Sequence, residues 1–163
     1  MAGPIENIMV YVDGTEEAIT AAQYAVLLAR QVDGHLFACY VVNTRALGDL
    51  LRSHIFIEDE EQEYRRDLEA DASRYLKHVE QLASEKGVHV TTIKKSGNVH
   101  QELIGLVEEH EIDLLVLGEL PHIRRRRDEF YNEAERAMRS VHCSVLVAKD
   151  EDRVYDLFER EEG

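Results

Sequence analysis

The stretch G-N-V-H-Q-E-L-I-G-L-V-E-E-H-E-I-D-L-L-V-L-G, residues 97–118, decides the fold class of this chain. Asn98 and Gln101 have the spacing of a capping box, and Val99, Leu103, Ile104 and Val107 recur at helical intervals. A helix is therefore predicted to start just after Gly97. Residues 113–117 form a short apolar run that stops at Gly118, as a strand covered on both faces of a parallel sheet does. Next comes a loop carrying Arg124, Arg125, Arg126 and Arg127, and then E-A-E-R-A-M-R-S-V-H-C-S-V-L-V-A at 133–148. Helix, buried strand, loop, helix, buried strand is the alternation of an α/β fold. Open parallel sheets bind ligands beyond the carboxyl ends of their strands, so the segment after Gly118 is the candidate functional address.

Towards the N-terminus the same alternation continues. Residues 5–12 carry Ile8, Met9, Val10 and Val12, a compact run predicted as the first, central strand. Asp13 and Thr15 are each suited to cap the helix that follows, and Glu16 and Glu17 favour its N-terminal dipole. That helix is predicted to reach about Gln31, with Ala18, Ala22, Ala25 and Ala29 as a narrow stripe that lets it lie close to the sheet. Asp33-Gly34 stops it, and residues 35–42 form the second strand. Residues 43–57 are read as a loop over the carboxyl edge. Residues 58–86 are helical, with Tyr64, Leu68, Ala72, Tyr75, Leu76, Val79 and Leu82 on one face and Gly87 as the stop. Residues 88–95 alternate weakly and are polar enough for an edge strand. The last helix is placed at 128–140, through Phe130, Ala134, Ala137 and Met138, and the last strand at 144–148. Five strands with helices between them give an α/β sandwich, and right-handed crossovers put helices on both faces. The division is one domain at 1–149 and an acidic tail at 150–163, where Val154, Leu157 and Phe158 suggest a frayed helix docked on a partner or on the chain itself.

Composition excludes several classes of function. A formal charge of −14, from 33 acidic and 19 basic residues, repels a phosphodiester backbone and an anionic membrane, so neither nucleic acid nor membrane is an expected partner. Cys39 and Cys143 stand far apart without metal-ligand spacing and read as buried, reduced thiols. His35, His54, His78, His89, His100, His110, His122 and His142 form no H-E-x-x-H or Cys/His cluster, so no metal is expected and they read as surface or capping histidines. Met1-Ala2-Gly3-Pro4 leads into the first strand without a basic patch or long apolar region, and no apolar run is long enough to span a bilayer; a cytoplasmic location is expected. There is no nucleophile elbow, Walker loop or G-x-G-x-x-G, and no base and nucleophile pair, so the chain is not expected to be an enzyme.

Taken together, V-Y-V-D-G-T-E-E at 10–17, A-C-Y-V-V-N at 38–43, G-N-V-H-Q-E-L-I at 97–104, I-D-L-L-V-L-G at 112–118 and H-C-S-V-L-V-A at 142–148 resemble the universal stress protein family. The resemblance covers the chain up to Lys149. It implies a three-layer sandwich of the adenine nucleotide alpha hydrolase-like kind, with a five-stranded parallel sheet in the order 3-2-1-4-5. It also implies a homodimer formed through the last strand, here Val145, Leu146 and Val147. One physical point supports this: left alone, that strand would be an apolar edge.

One branch of the family binds ATP through G-x-x-G, nine residues, then G-S/T after the fourth strand. On that pattern Gly118 keeps the first glycine, but Pro121 takes the second, Tyr131 the third, and Asn132 the Ser/Thr place. Proline has no N–H to offer a phosphate, and tyrosine brings a Cβ and a ring where backbone must come close. The adenine end is better kept: Asp13 matches the family aspartate, and Val41 the second-strand position whose backbone meets the base. Asp13 is equally explained as a helix cap. The leading expectation is a dimeric, non-enzymatic stress-response protein without a cofactor, not a strong binder of ATP or AMP, that acts through protein partners. The alternative is a sensor of a nucleotide or another anionic small molecule, with Arg124, Arg125, Arg126 and Arg127 in place of the glycine cradle. Against it, four arginines followed by Asp128-Glu129 in so acidic a chain also suit a solvated loop paired with the protein's own carboxylates.

Overall fold

The computed structural model describes residues 3–44, 58–120 and 133–160. Along the chain these form β1 (Asn7–Tyr11), α1 (Glu16–Val32), β2 (His35–Asn43), α2 (Glu58–Glu85), β3 (Val90–Gly97), α3 (Val99–Glu109), β4 (Leu114–Gly118), α4 (Glu133–Ser140), β5 (Ser144–Ala148) and α5 (Glu151–Arg160). The five strands make one sheet in the order β3-β2-β1-β4-β5, and every neighbouring pair is parallel. This is the three-layer architecture that the alternation and the resemblance implied.

The two-residue period of the strands divides the core. Ile8, Val10 and Val12 point to one face with Leu36, Ala38, Leu114 and Val116, beneath the alanines of α1 and Leu76, Val79 and Leu82 of α2. Met9 and Tyr11 point to the other face with Phe37, Cys39, Val41, Leu115 and Leu117, against α3 and Ala137 of α4. Each large apolar side chain removed from water in this way contributes about 1.5–3 kcal/mol.

Local chemistry explains the ends of the elements. Thr15 is the N-cap of α1, and its hydroxyl accepts the Ala18 N–H at 3.2 Å. At the other end it is Asp33 that takes the left-handed conformation, with φ of 55°. Gly34 is there for space, since a Cβ at this position would lie 2.9 Å from the Glu6 carbonyl oxygen. Asn98 caps α3 by accepting the Gln101 N–H at 3.3 Å, as the spacing predicts. Asp113 fastens the start of the central strand, its Oδ2 accepting the N–H groups of Glu6 and Asn7, each at 2.9 Å.

Several expectations need correction. α3 buries Val99, Leu103, Leu106 and Val107; Ile104 is only half-buried, and Leu106 takes its place on the face turned to the sheet. β3 runs to Gly97, carried by its pairing with β2 as far as Asn43. Cys39 is buried, but Cys143 precedes β5 and is only half-buried. The acidic tail docks on the chain itself as α5, burying Val154 and Phe158 but not Leu157. Residues 128–132 of the predicted last helix lie outside the described residues, as do most of residues 43–57.

Candidate functional site

Of the sequence-predicted ligand residues, Asp13, Val41 and Gly118 lie among the described residues, towards the carboxyl ends of β1, β2 and β4. Asp13 follows β1, and its Oδ1 accepts the Thr15 hydroxyl at 2.6 Å and the Thr15 N–H at 3.1 Å. Asp13 therefore does not cap α1 directly. It orients Thr15, which does. Gly14 has φ of 83°, and a Cβ on it would come 2.8 Å from Cε2 of Tyr75, so the α2 ring closes over this turn. The Tyr75 ring stacks on Tyr40 at 6.2 Å between centroids. Burial pushes the Tyr40 hydroxyl up from its ordinary value, and the charges of Asp13 and Asp71 add to this.

Gly118 ends β4, where α1 crosses it. A Cβ there would stand 2.5 Å from the Glu17 carbonyl oxygen, 2.6 Å from its carbon and 3.0 Å from the Ala18 nitrogen. Its lack of a side chain is what lets the helix backbone approach. Val41 is 4% exposed, with its side chain in the core on the α3 and α4 side. Pro121, Arg124, Arg125, Arg126, Arg127, Tyr131 and Asn132 lie outside the described residues.

The structure adds two residues that sequence reasoning missed. Glu133, the first residue of α4, is 9% exposed. Its Oε2 accepts the His100 backbone N–H at 3.2 Å and lies 2.5 Å from the His100 ring Nδ1, joining the first turns of α3 and α4. His100 is thus not a surface histidine but half of a largely buried pair. Burial works to raise the Glu133 carboxyl, but the His100 hydrogen bonds and the charges of His100 and Arg136 outweigh it and hold it below the ordinary range. Beside them, burial drives the Tyr11 hydroxyl far up, and the charges of Asp13 and Glu133 are among the contributors. No local signal in the sequence links residues 100 and 133, which only the packing of α3 on α4 brings together. Among the described residues no three His, Cys, Asp or Glu side chains group to hold a metal ion, and no helix is long and apolar enough to cross a membrane.

At the sheet's two edges the chemistry differs. Lys94, Lys95 and Ser96 of β3 are exposed, whereas Val145, Leu146 and Val147 of β5 are half-buried and apolar.

The model of the universal stress protein family matches residues 4–149. The chain belongs to that family. Membership makes it a stress-response protein. A universal stress protein of Methanocaldococcus jannaschii is 28% identical over 144 residues, covering 88% of this chain and 82% of the relative. A solved universal stress family protein from Burkholderia pseudomallei superposes with a TM-score of 0.69 at 20% identity, covering 90% of this chain and 98% of the other. A family protein from Arabidopsis thaliana, solved with AMP bound, gives a TM-score of 0.63 at 16% identity, covering 88% and 91%. At these identities the two structures establish the fold alone.

Proposed function

We propose that this universal stress protein works in the cytoplasm as a homodimer that binds ATP weakly, catalyses no reaction and acts through contacts with protein partners. One observation carries the reading: the two polar or glycine residues kept from the nucleotide pattern both have duties in the scaffold. Asp13 is engaged by Thr15 at 2.6 Å, and Gly118 is needed where Glu17 would meet any side chain at 2.5 Å. Their retention is explained without a ligand, while at the second and third glycine positions of the sequence pattern stand Pro121, which has no backbone N–H, and Tyr131, which has a bulky side chain. Calorimetric titration of the nucleotide-free protein with ATP tests this, and micromolar affinity would overturn it.

Dimerisation through β5 is supported by the contrast between the edges. Exposed lysines guard β3, while the Ser-Val-Leu-Val-Ala edge of β5 has no such protection and pairs only with β4 among the described strands.

A second reading, a sensor of a nucleotide or another anion, is favoured by the AMP held by the Arabidopsis relative and by the four arginines between Gly118 and Glu133. It requires that Arg125→Ala with Arg126→Ala lowers AMP affinity strongly while the melting temperature of the free protein stays constant. Unchanged affinity removes that reading.

A further inference from the structure

We propose that the surface of α1 and the end of α2 covered by α5 is a docking socket for an amphipathic helix of a partner protein, and that α5 occupies it in cis as a mask. The inference names a site for the partner contacts proposed above and rests on that reading.

The family match ends at residue 149, and α5 (Glu151–Arg160) comes after it. α5 nevertheless packs on α1 and fills a place in the core, with Val154 1% exposed and Phe158 2%. Phe158 lies in the same apolar cluster as the alanines of α1 and Leu82 and Ala83 of α2. The Lys86 Nζ stands 4.6 Å from the centre of the Phe158 ring and Lys86 is itself 9% exposed, so a cation closes the socket over the aromatic side chain. An aliphatic residue followed four positions later by an aromatic one, on a single helix face, is the pattern that helix-binding grooves read.

The cis occupant is held by those two anchors and that cation. Its ten residues are fewer than the roughly 12–15 that an isolated helix needs, so α5 is helical because it is docked. It buries two of its four apolar side chains and leaves Tyr155 53% and Leu157 36% exposed. Residues 150–163 carry seven acidic and two basic side chains in a chain of formal charge −14, so the charge of the whole opposes docking. Release of α5 bares an apolar socket that a helix with the same two anchors fits. While α5 is bound, the affinity for that helix is lowered by the fraction of molecules whose socket is open.

The test is fluorescence anisotropy of a labelled peptide of residues 150–163 against the full chain, as wild type and as Val154→Ser with Phe158→Ser, which removes both anchors of the cis helix. The double variant should bind the peptide about tenfold or more tightly than wild type does, because its socket is open. The same peptide carrying Phe158→Ala should lose about tenfold or more of that affinity. A folded double variant, judged by circular dichroism, that binds the peptide no better than wild type overturns the inference. Should the variant not fold, amide exchange of wild type decides: α5 opening about tenfold or more readily than α1 sustains the proposal, and exchange of both at one rate refutes it. A two-subunit wild type that becomes one-subunit in the double variant assigns the socket to α5 of a second copy and overturns the assignment to a partner. Micromolar ATP binding by wild type sinks the functional reading above by itself, whereas failure of the peptide to bind the open socket sinks this inference alone.

Discussion

Replacing Gly118 by alanine separates a glycine kept for the scaffold from one kept for a ligand. The added methyl carbon would meet the Glu17 carbonyl oxygen at 2.5 Å and its carbon at 2.6 Å, both backbone atoms of α1. Relief requires α1 or the end of β4 to move by several tenths of an ångström. Neither is free to do so: Ala18, Ala21, Ala22 and Ala25 of α1 are at most 3% exposed, and Leu117 before the glycine is 1% exposed. Forced overpacking of such cores costs about 1–3 kcal/mol, and a backbone obstacle places this case near the upper end. For a domain of this size that corresponds to a fall in melting temperature of roughly 6–12 °C. Gly105 supplies the opposite control. It lies mid-helix in α3, is exposed, and a Cβ there meets nothing within 4 Å. Gly105→Ala should therefore stabilise by about 0.5–1 kcal/mol through helix propensity alone. Thermal unfolding of the ligand-free proteins, followed by circular dichroism, reads both. If Gly118→Ala melts within a degree or two of wild type, the close approach of α1 is not why this residue is glycine, and the ligand explanation regains its force.

Three further outcomes are expected. Wild type should have a two-subunit mass by light scattering at micromolar concentration and Val147→Lys a one-subunit mass, because a charge on the open edge of β5 opposes strand pairing; a monomeric wild type refutes the interface. In native protein a thiol reagent should label Cys143 and spare Cys39, whose thiol burial and the nearby Glu102 charge push up to about 12; rapid reaction of both would contradict this packing. Because Glu133 is held below the ordinary carboxylate range when folded, its contribution to stability is present above the unfolded value of about 4.3 and fades as pH falls through the folded one. Urea unfolding should accordingly show wild type losing its advantage over Glu133→Gln below about pH 4, and a pH-independent difference would mean that the charge is not responsible.

The sequence by itself determined the order and type of the elements. Apolar runs such as residues 114–117, stops such as Gly87, and caps such as Asn98 are local signals, written within a few residues of the feature they specify. The composition likewise set the formal charge of −14. Only tertiary structure decided what individual site residues do. Asp13 looked the same in sequence as a cap or a ligand, and its hydrogen bonds to Thr15 show that it supports the cap. Gly118 matches a phosphate-binding glycine in the sequence, and the structure adds a second demand for glycine, the Glu17 carbonyl oxygen 2.5 Å from where a Cβ would stand. Glu133 and His100 carried no mark at all, since 33 residues separate them along the chain and only the meeting of two helix starts joins them. Periodicity records which face of an element is buried. It does not record which distant backbone or side chain that face will meet, and the chemistry of this site is made of such meetings.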